Sequence, residues 1–382
     1  MIIDSDTGTD PDDTCVAIMV ARHPELFPAA LMVTNDETSR RAKARFLTHV
    51  IAAAGGTVKI AAGLPSLKQR DADLAEEAGL VPDLAVEGEA TARIIEVLEA
   101  NASVDYIGLG ALTNLDAALA IRPELAARVR LFQMGPAVHR GFDRGRAQYN
   151  ARIDPAAFRR VLHQVPLPTL IATHTTWGPP GPPLLGVFPD DALGRAIAAS
   201  ARADLVVYTR HLAAFVASGK DCSILHDPAT LLASREPELF DLVHLDVVID
   251  DAGWLHFTSD AVDALQSLVP SQVGCVAQAL QSWEPPPPGV PVRVRLSLGA
   301  DYGRIRARVT ELLHTDCACK PFEGKGGYLP VFPDEVFETL ERTESPLDLH
   351  GLVPHWGRAR CVTCKVIYSY SNMLAGSVFE RE

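Results

Sequence analysis

Five aspartates crowd into ten residues near the start of this sequence: Asp4, Asp6, Asp10, Asp12 and Asp13, along Ile2-Ile3-Asp4-Ser5-Asp6-Thr7-Gly8-Thr9-Asp10-Pro11-Asp12-Asp13. Carboxylates that close repel one another unless something positive sits among them. Ca²⁺ is one answer, because it accepts many oxygen ligands in loose geometry, and Gly8 would let the loop turn sharply around it. Helix capping is the other. Asp10 would then be the cap, Pro11 the first helical residue, and Asp12 and Asp13 would lie in the favourable field of a helix N-terminus. Capping accounts for those three; Asp4 and Asp6 precede the turn and are left to the metal reading.

Two histidines and four cysteines add further chemistry. His226 stands directly before Asp227, and His174 follows a strand-like run, although with twelve histidines in the chain either could simply pack in the core. Cys317-Ala-Cys319 and Cys361-Val-Thr-Cys364 are two close thiol pairs that could share one structural Zn²⁺, or remain reduced cysteines buried as small apolar residues.

The elements that must position these groups follow from periodicity. Short β-type runs at 1–4, 29–34, 58–61, 104–109, 129–134 and 168–173 alternate with helical spacing at 14–22, 39–54, 91–100, 112–120 and 155–162. That alternation predicts an α/β fold, an open and mostly parallel Rossmann-like sheet flanked by helices, with ligands beyond the carboxyl ends of the strands. A hairpin is expected at 242–258, a proline-rich connector at 283–291, and one more strand and helix at 292–298 and 302–313. Beyond His314 clear periodicity is lost. The expected organisation is therefore one α/β domain over 1–314 and a C-terminal extension over 315–382, stapled by zinc if the cysteines bind it.

A chain of 382 residues with 47% hydrophobic content can bury a large core. Its net charge of −13, unrelieved by any basic run, argues against nucleic acid and for a small-molecule partner. No apolar run is long enough to span a membrane, no secretion signal is expected ahead of the first strand, and an odd seven cysteines make a poor disulfide framework. The expected location is cytoplasmic.

The acidic segment resembles the N-terminal signature of the inosine-uridine nucleoside hydrolases, in a longer form with two extra residues before the final Asp pair. Three more segments follow in the family's order. Gly108-Leu109-Gly110-Ala111-Leu112-Thr113-Asn114-Leu115 is similar to its Gly-Pro-Leu-Thr-Asn block. The stretch from Met134-Gly135 through Asn150 to Asp154-Pro155 is similar to its central loop, and His226-Asp227-Pro228 to its late His-Asp-Pro motif. The resemblance covers about 1–315. It implies a Ca²⁺-dependent hydrolase of N-ribosidic bonds, with Asp6, Asp13, Asp227 and the carbonyl of Leu109 holding the ion and Asp6 accepting the proton of the attacking water. It further implies Asp12 and Asn150 on ribose hydroxyls, with either Asn35 or Asp36 beside them, His226 as general acid to the departing base, and His174 at the base pocket. Relatives of this kind are commonly dimers or tetramers, so a homo-oligomer is implied as well.

Two positions depart from the family pattern. Phe142 stands where an Asn is expected and Gln148 where a Glu is expected, and those two positions hold the ribose 5′-hydroxyl. Phe can neither donate nor accept that hydrogen bond, and Gln lacks the charge. A substrate altered at the 5′ position, or a modified riboside, is the resulting expectation. Two rival readings stand beside the hydrolase. One is a riboside-binding protein that has lost catalysis. The other is a phosphatase of the haloacid dehalogenase type with Asp4 as nucleophile, which would leave Ala111-Leu112-Thr113-Asn114 and His226-Asp227-Pro228 without a role.

Overall fold

In the computed structural model, residues 1–35, 37, 41–65, 74–86, 88–138, 146–178, 183–267, 280 and 283–314 are described, together with the backbone of four strands at 337–344, 355–361, 367–373 and 376–381. Nine strands form one sheet: β1 (Ile2–Ser5), β2 (Leu31–Thr34), β3 (Ile60–Ala61), β4 (Val104–Gly108), β5 (Val129–Met134), β6 (Thr169–Ile171), β9 (Phe240–Ile249), β10 (Leu255–Phe257) and β11 (Val292–Ala300). A short antiparallel pair, β7 (Gly186–Val187) and β8 (Ser223–Ile224), lies apart from it. The sheet order is β10-β9-β11-β6-β5-β4-β1-β2-β3. From β3 to β11 all neighbours are parallel, and β9 pairs antiparallel with β11 on one side and β10 on the other.

Successive residues of β1 face opposite sides, and both sides are covered. Ile2 joins the core with Val33, Tyr106 and Leu131, whereas Ile3 joins the core with Met32, Ile107 and Phe132. This two-sided burial explains the nearly unbroken apolar runs of the parallel strands. Each such side chain contributes roughly 1.5–3 kcal/mol on leaving water. The parallel register aligns the strand ends: Ser5 stands beside Thr34, Asp4 beside Gly108, and Met134 beside Ile171. The sheet order reverses between β1 and β4, so the loops after these two strands diverge and open a crevice, the place where ligands bind in sheets of this kind.

The helices fall where the apolar spacing put them, at Asp12–Arg22, Ala42–Ala53, Ala90–Ala100, Thr113–Ile121, Pro155–Gln164 and Tyr302–His314. The tail differs from expectation. β12 (Phe337–Glu344), β13 (His355–Cys361), β14 (Ile367–Met373) and β15 (Gly376–Arg381) form a second, four-stranded antiparallel sheet in sequential order. Runs such as Ile-Tyr-Ser-Tyr-Ser-Asn-Met mix aromatic and polar residues, so their alternation is too faint to stand out in a periodicity search. Cys361 ends β13, while Cys317, Cys319 and Cys364 lie outside the described residues. Among the described residues no helix is long and apolar enough to cross a membrane.

Candidate active site

The five aspartates of the first loop separate into three kinds. Asp4, still in β1, is fully buried. Its carboxylate accepts hydrogen bonds from Tyr106 Oη at 2.5 Å, Asn114 Nδ2 at 2.9 Å and Asn35 Nδ2 at 3.4 Å. Burial pushes its carboxyl up to about 7 against the pull of those donors. Asp4 thus ties β1 to β4 and to the turn after β2. A group enclosed in this way cannot attack a phosphate, so the phosphatase reading fails at its nucleophile.

Asp10 points elsewhere. Its Oδ1 accepts a hydrogen bond from Ser223 Oγ at the start of β8, and only a long one, 3.4 Å, from the backbone N–H of Asp12. Pro11, not Asp10, occupies the cap position, and its carbonyl accepts the first helical bond from Cys15 N–H at 3.1 Å. The expected cap is therefore displaced by one residue, because the Asp10 side chain is drawn across the cleft to Ser223. Burial raises its carboxyl to about 6.

Asp6, Asp13 and Asp227 form the third kind: each offers a carboxylate oxygen, and these atoms lie within 4.8 Å of one another. Asp13, in the first turn of its helix, is aimed by Ser5 Oγ, which donates to it at 2.6 Å. Asp227 comes from the far side, in the first turn of the helix His226–Ala233. Asp12 links the two sides, since its Oδ2 accepts the backbone N–H of Asp227 at 3.2 Å. Lys43 Nζ donates to the Asp6 carbonyl at 2.9 Å, bracing the loop from the helix Ala42–Ala53. Burial first, and then the charges of neighbouring aspartates, hold the carboxyls of Asp12, Asp13 and Asp227 well above the ordinary range.

Leu109, directly after β4, lines the same cavity. Its carbonyl accepts a hydrogen bond from Asn150 Nδ2 at 2.5 Å, which leaves a second lone pair for another partner. Gly110 lets this turn approach closely, because a Cβ there would stand 3.0 Å from those of Asn35 and Asp6. Gln148 caps the short helix Tyr149–Ile153, its Oε1 accepting from Asn150 N–H at 2.8 Å and Ala151 N–H at 3.4 Å. Gly135, at φ +86°, makes room for that carboxamide, which a Cβ would meet at 2.5 Å.

The cavity has a volume of about 380 Å³ and is lined by Asp6, Asp12, Leu109, Gln148, Asn150, His226 and Asp227 among the residues expected from sequence. Cavities of about 430 and 530 Å³ near Trp254 and near Arg160 contain none of these groups, so chemistry rather than size selects the site. His226 Nδ1 is 2.5 Å from Thr176 Oγ1, which is also 3.0 Å from the Thr173 carbonyl. The direction of that one hydroxyl proton decides which imidazole nitrogen carries hydrogen. Burial lowers the His226 pKa to about 4, so the ring is neutral near pH 7.

Three expected residues are absent from the cavity lining. Asp13 lies behind it, with its carboxylate beside those of Asp6 and Asp227. Asn35 is spent on Asp4 and on the Ala111 carbonyl. His174 is buried in the helix Thr173–Trp177, behind the surface that Thr173 presents. Phe142 and Asp36 lie outside the described residues. Sequence reasoning missed Arg146, Tyr149, Arg152, Thr173 and Lys220, all of which line the cavity. Two basic residues within seven positions, 146 and 152, were the available signal.

The donor set suits a hard divalent cation: three converging carboxylates, with burial and mutual repulsion to relieve. Fold and cleft together define an open α/β protein carrying an acidic, metal-competent centre at its topological switch point. Residues 1–292 match the family model described as inosine-uridine preferring nucleoside hydrolase, and the chain belongs to that family. Among solved structures, it is similar to a plant nucleoside hydrolase, PpNRh1, at 19% identity and TM-score 0.62, covering 82% of this chain and 98% of that one. The purine-preferring ribonucleoside hydrolase of Gardnerella vaginalis is similar at 17% identity and TM-score 0.58, over 82% of this chain and 100% of that one. The type III effector protein XopQ complexed with adenosine diphosphate ribose is similar at 16% identity and TM-score 0.56, over 82% of this chain and 93% of that one. No curated protein matches the sequence.

Proposed function

We propose that this protein is a Ca²⁺-dependent hydrolase of the N-glycosidic bond of a ribonucleoside or modified riboside, with residues 1–314 as the catalytic unit and 315–382 as an extension. The observation that carries the reading is the convergence of Asp6, Asp13 and Asp227, whose carboxylate oxygens lie within 4.8 Å of one another, with Asp6 and Asp227 in the cavity wall. These three and the Leu109 carbonyl would hold the ion. Bound there, Ca²⁺ would orient the ribose 2′ and 3′ hydroxyls and acidify the attacking water.

The chain's own residues do the rest. Asp6, at the cavity surface, accepts the proton of the attacking water. Asp12 and Asn150 hold ribose hydroxyls, and the carboxylate wall stabilises the positive charge that develops on the sugar as the bond to the base breaks. When the Thr176 hydroxyl donates to His226 Nδ1, the ring hydrogen sits on Nε2, the tautomer that can donate a hydrogen bond to the departing base, while full proton transfer would need the imidazolium form. The XopQ complex, in which a neighbour of this fold holds adenosine diphosphate ribose, supports a ribosyl ligand.

A panel of nucleosides scored for released base, with Ca²⁺ and with a chelator, tests the reading. Base release that the chelator abolishes is the expected result. Riboside binding without base release across the panel would establish a binding protein instead.

A further inference from the structure

Of the five aspartates in the first loop, Asp10 serves neither the helix Asp12–Arg22 as its cap nor the cluster of Asp6, Asp13 and Asp227. Its carboxylate accepts the hydroxyl of Ser223, a residue 213 positions away that opens β8. Ser223 is fully buried. Burial makes such a bond hard to give up, because the hydroxyl cannot turn to water instead. On the loop side, the Gly8 carbonyl accepts the N–H of Ala75 at 2.9 Å, which anchors the turn that presents Asp10.

The segment between Ser223 and Asp227 has little slack. Ile224 pairs with Gly186 of β7. Leu225 is fully buried and donates its N–H to the Leu185 carbonyl at 3.0 Å, and His226 begins the helix that carries Asp227. β7 is held in turn by Arg306, which donates to the Gly186 carbonyl and, at 2.6 Å, to Asp191. β7 thus fixes β8 on one side, and Asp10 fixes it on the side facing the acidic loop. A second bond runs alongside, from the Asp227 N–H to Asp12 Oδ2 at 3.2 Å. These two rungs oppose a specific force: with no cation among them, the carboxylates of Asp6, Asp13 and Asp227 push the two sides apart.

We propose that the bond between Asp10 and Ser223 is a clasp that positions Asp227, so that both residues set how tightly the cleft holds a divalent cation although neither belongs to the carboxylate cluster. This rests on the cation site proposed above. The rival role for Asp10 is a fourth carboxylate ligand, and it has the opposite sign: freeing Asp10 from Ser223 would then tighten cation binding.

The test uses the full-length protein, with isothermal titration of Ca²⁺ and, separately, amide hydrogen exchange without Ca²⁺. Ser223→Ala is expected to weaken Ca²⁺ binding about tenfold or more, the usual cost of losing a group that orients a ligand. Ser223→Thr keeps the hydroxyl and should retain most of the affinity. Asp10→Ala removes a charge as well as the clasp, so a double-mutant cycle isolates the bond: in that background Ser223→Ala should change Ca²⁺ affinity little. Without Ca²⁺, exchange at residues 226–229 should quicken about threefold or more in Ser223→Ala, as the Asp227 amide loses protection. Thermal melts check each fold, and Ser223→Cys, a weaker donor of similar size, replaces Ser223→Ala where stability requires it. Unchanged or tighter Ca²⁺ binding in Ser223→Ala overturns the proposal, as do additive effects in the cycle. If the parent protein binds no Ca²⁺, the cation reading falls and exchange alone decides the clasp, unchanged exchange at 226–229 overturning it.

Discussion

The two ends of the helix Asp12–Arg22 treat buried charge in opposite ways. At its C-terminal end Arg22 Nε donates to Asp204 at 2.7 Å, and Arg202 Nη2 donates to the same carboxylate oxygen at 2.6 Å. Asp204 is fully buried. Burial alone would raise its carboxyl, yet the two guanidinium groups outweigh it and hold the group below the ordinary range. At the N-terminal end Asp12 and Asp13 are buried beside Asp227, and burial with mutual repulsion pushes all three up. One end carries its own counter-charge and is structural. The other gathers like charges, as the proposed cation site would require.

The comparison breaks most visibly at Asp227. Asp227→Asn should lower Ca²⁺-dependent base release by about a thousandfold or more, because it removes a ligand that positions the reacting water. Without Ca²⁺ the same variant should melt higher than the parent, since a like charge has been removed from the cluster. Thermal melts with and without Ca²⁺ check both halves. An equal destabilisation in the two conditions would make Asp227 a structural carboxylate like Asp204.

At the other end, Asp204→Ala leaves Arg22 and Arg202 partly buried without their acceptor. It should cost on the order of 3–4 kcal/mol by denaturant unfolding. The loss should be the same with and without Ca²⁺, which is what separates this end from the cleft.

His211 connects the two ends and gives the smallest effect. It lies on the helix Ala203–Ala217, with Nδ1 2.9 Å from Thr14 Oγ1 and its ring edge-on to Phe46 at 5.1 Å. Burial lowers its pKa to about 4 from 6.5. The folded state therefore prefers neutral imidazole, and its contribution is complete above pH 6.5 and lost as pH falls toward 4. The slope is about 1.4 kcal/mol per pH unit across that window. Asp4 and Asp10, raised by burial to about 7 and about 6, act in the opposite sense: their contribution is present below the ordinary carboxylate pKa and is lost as pH rises through those values. The wild-type profile is thus composite. Unfolding of His211→Gln at pH 7 and pH 5 should show less acid destabilisation than wild type, the difference reporting His211 alone.

Much of this was legible in the chain itself. Short apolar runs marked six parallel strands, the hairpin and the last strand and helix, because burial on both faces leaves a locally continuous apolar stretch. That Asp6, Asp13 and Asp227 stand together was readable through motifs that match the family. The roles of Asp4 and Asn35 were not. Both sit in segments that could serve a metal or a substrate, and only the arrival of Tyr106 and Asn114 from β4 and the helix after it shows that they hold the scaffold together.

By itself, then, the sequence determined which residue types stand at the ends of which strands, since hydrophobic period, turn glycines and the acidic loop are local properties. Tertiary structure decided which carboxylates keep company with arginines and which with one another, and which basic residues share the cavity. Those outcomes depend on groups up to 215 residues apart, as with Asp12 and Asp227. Charge interactions act through distance and burial, which no spacing along the chain records.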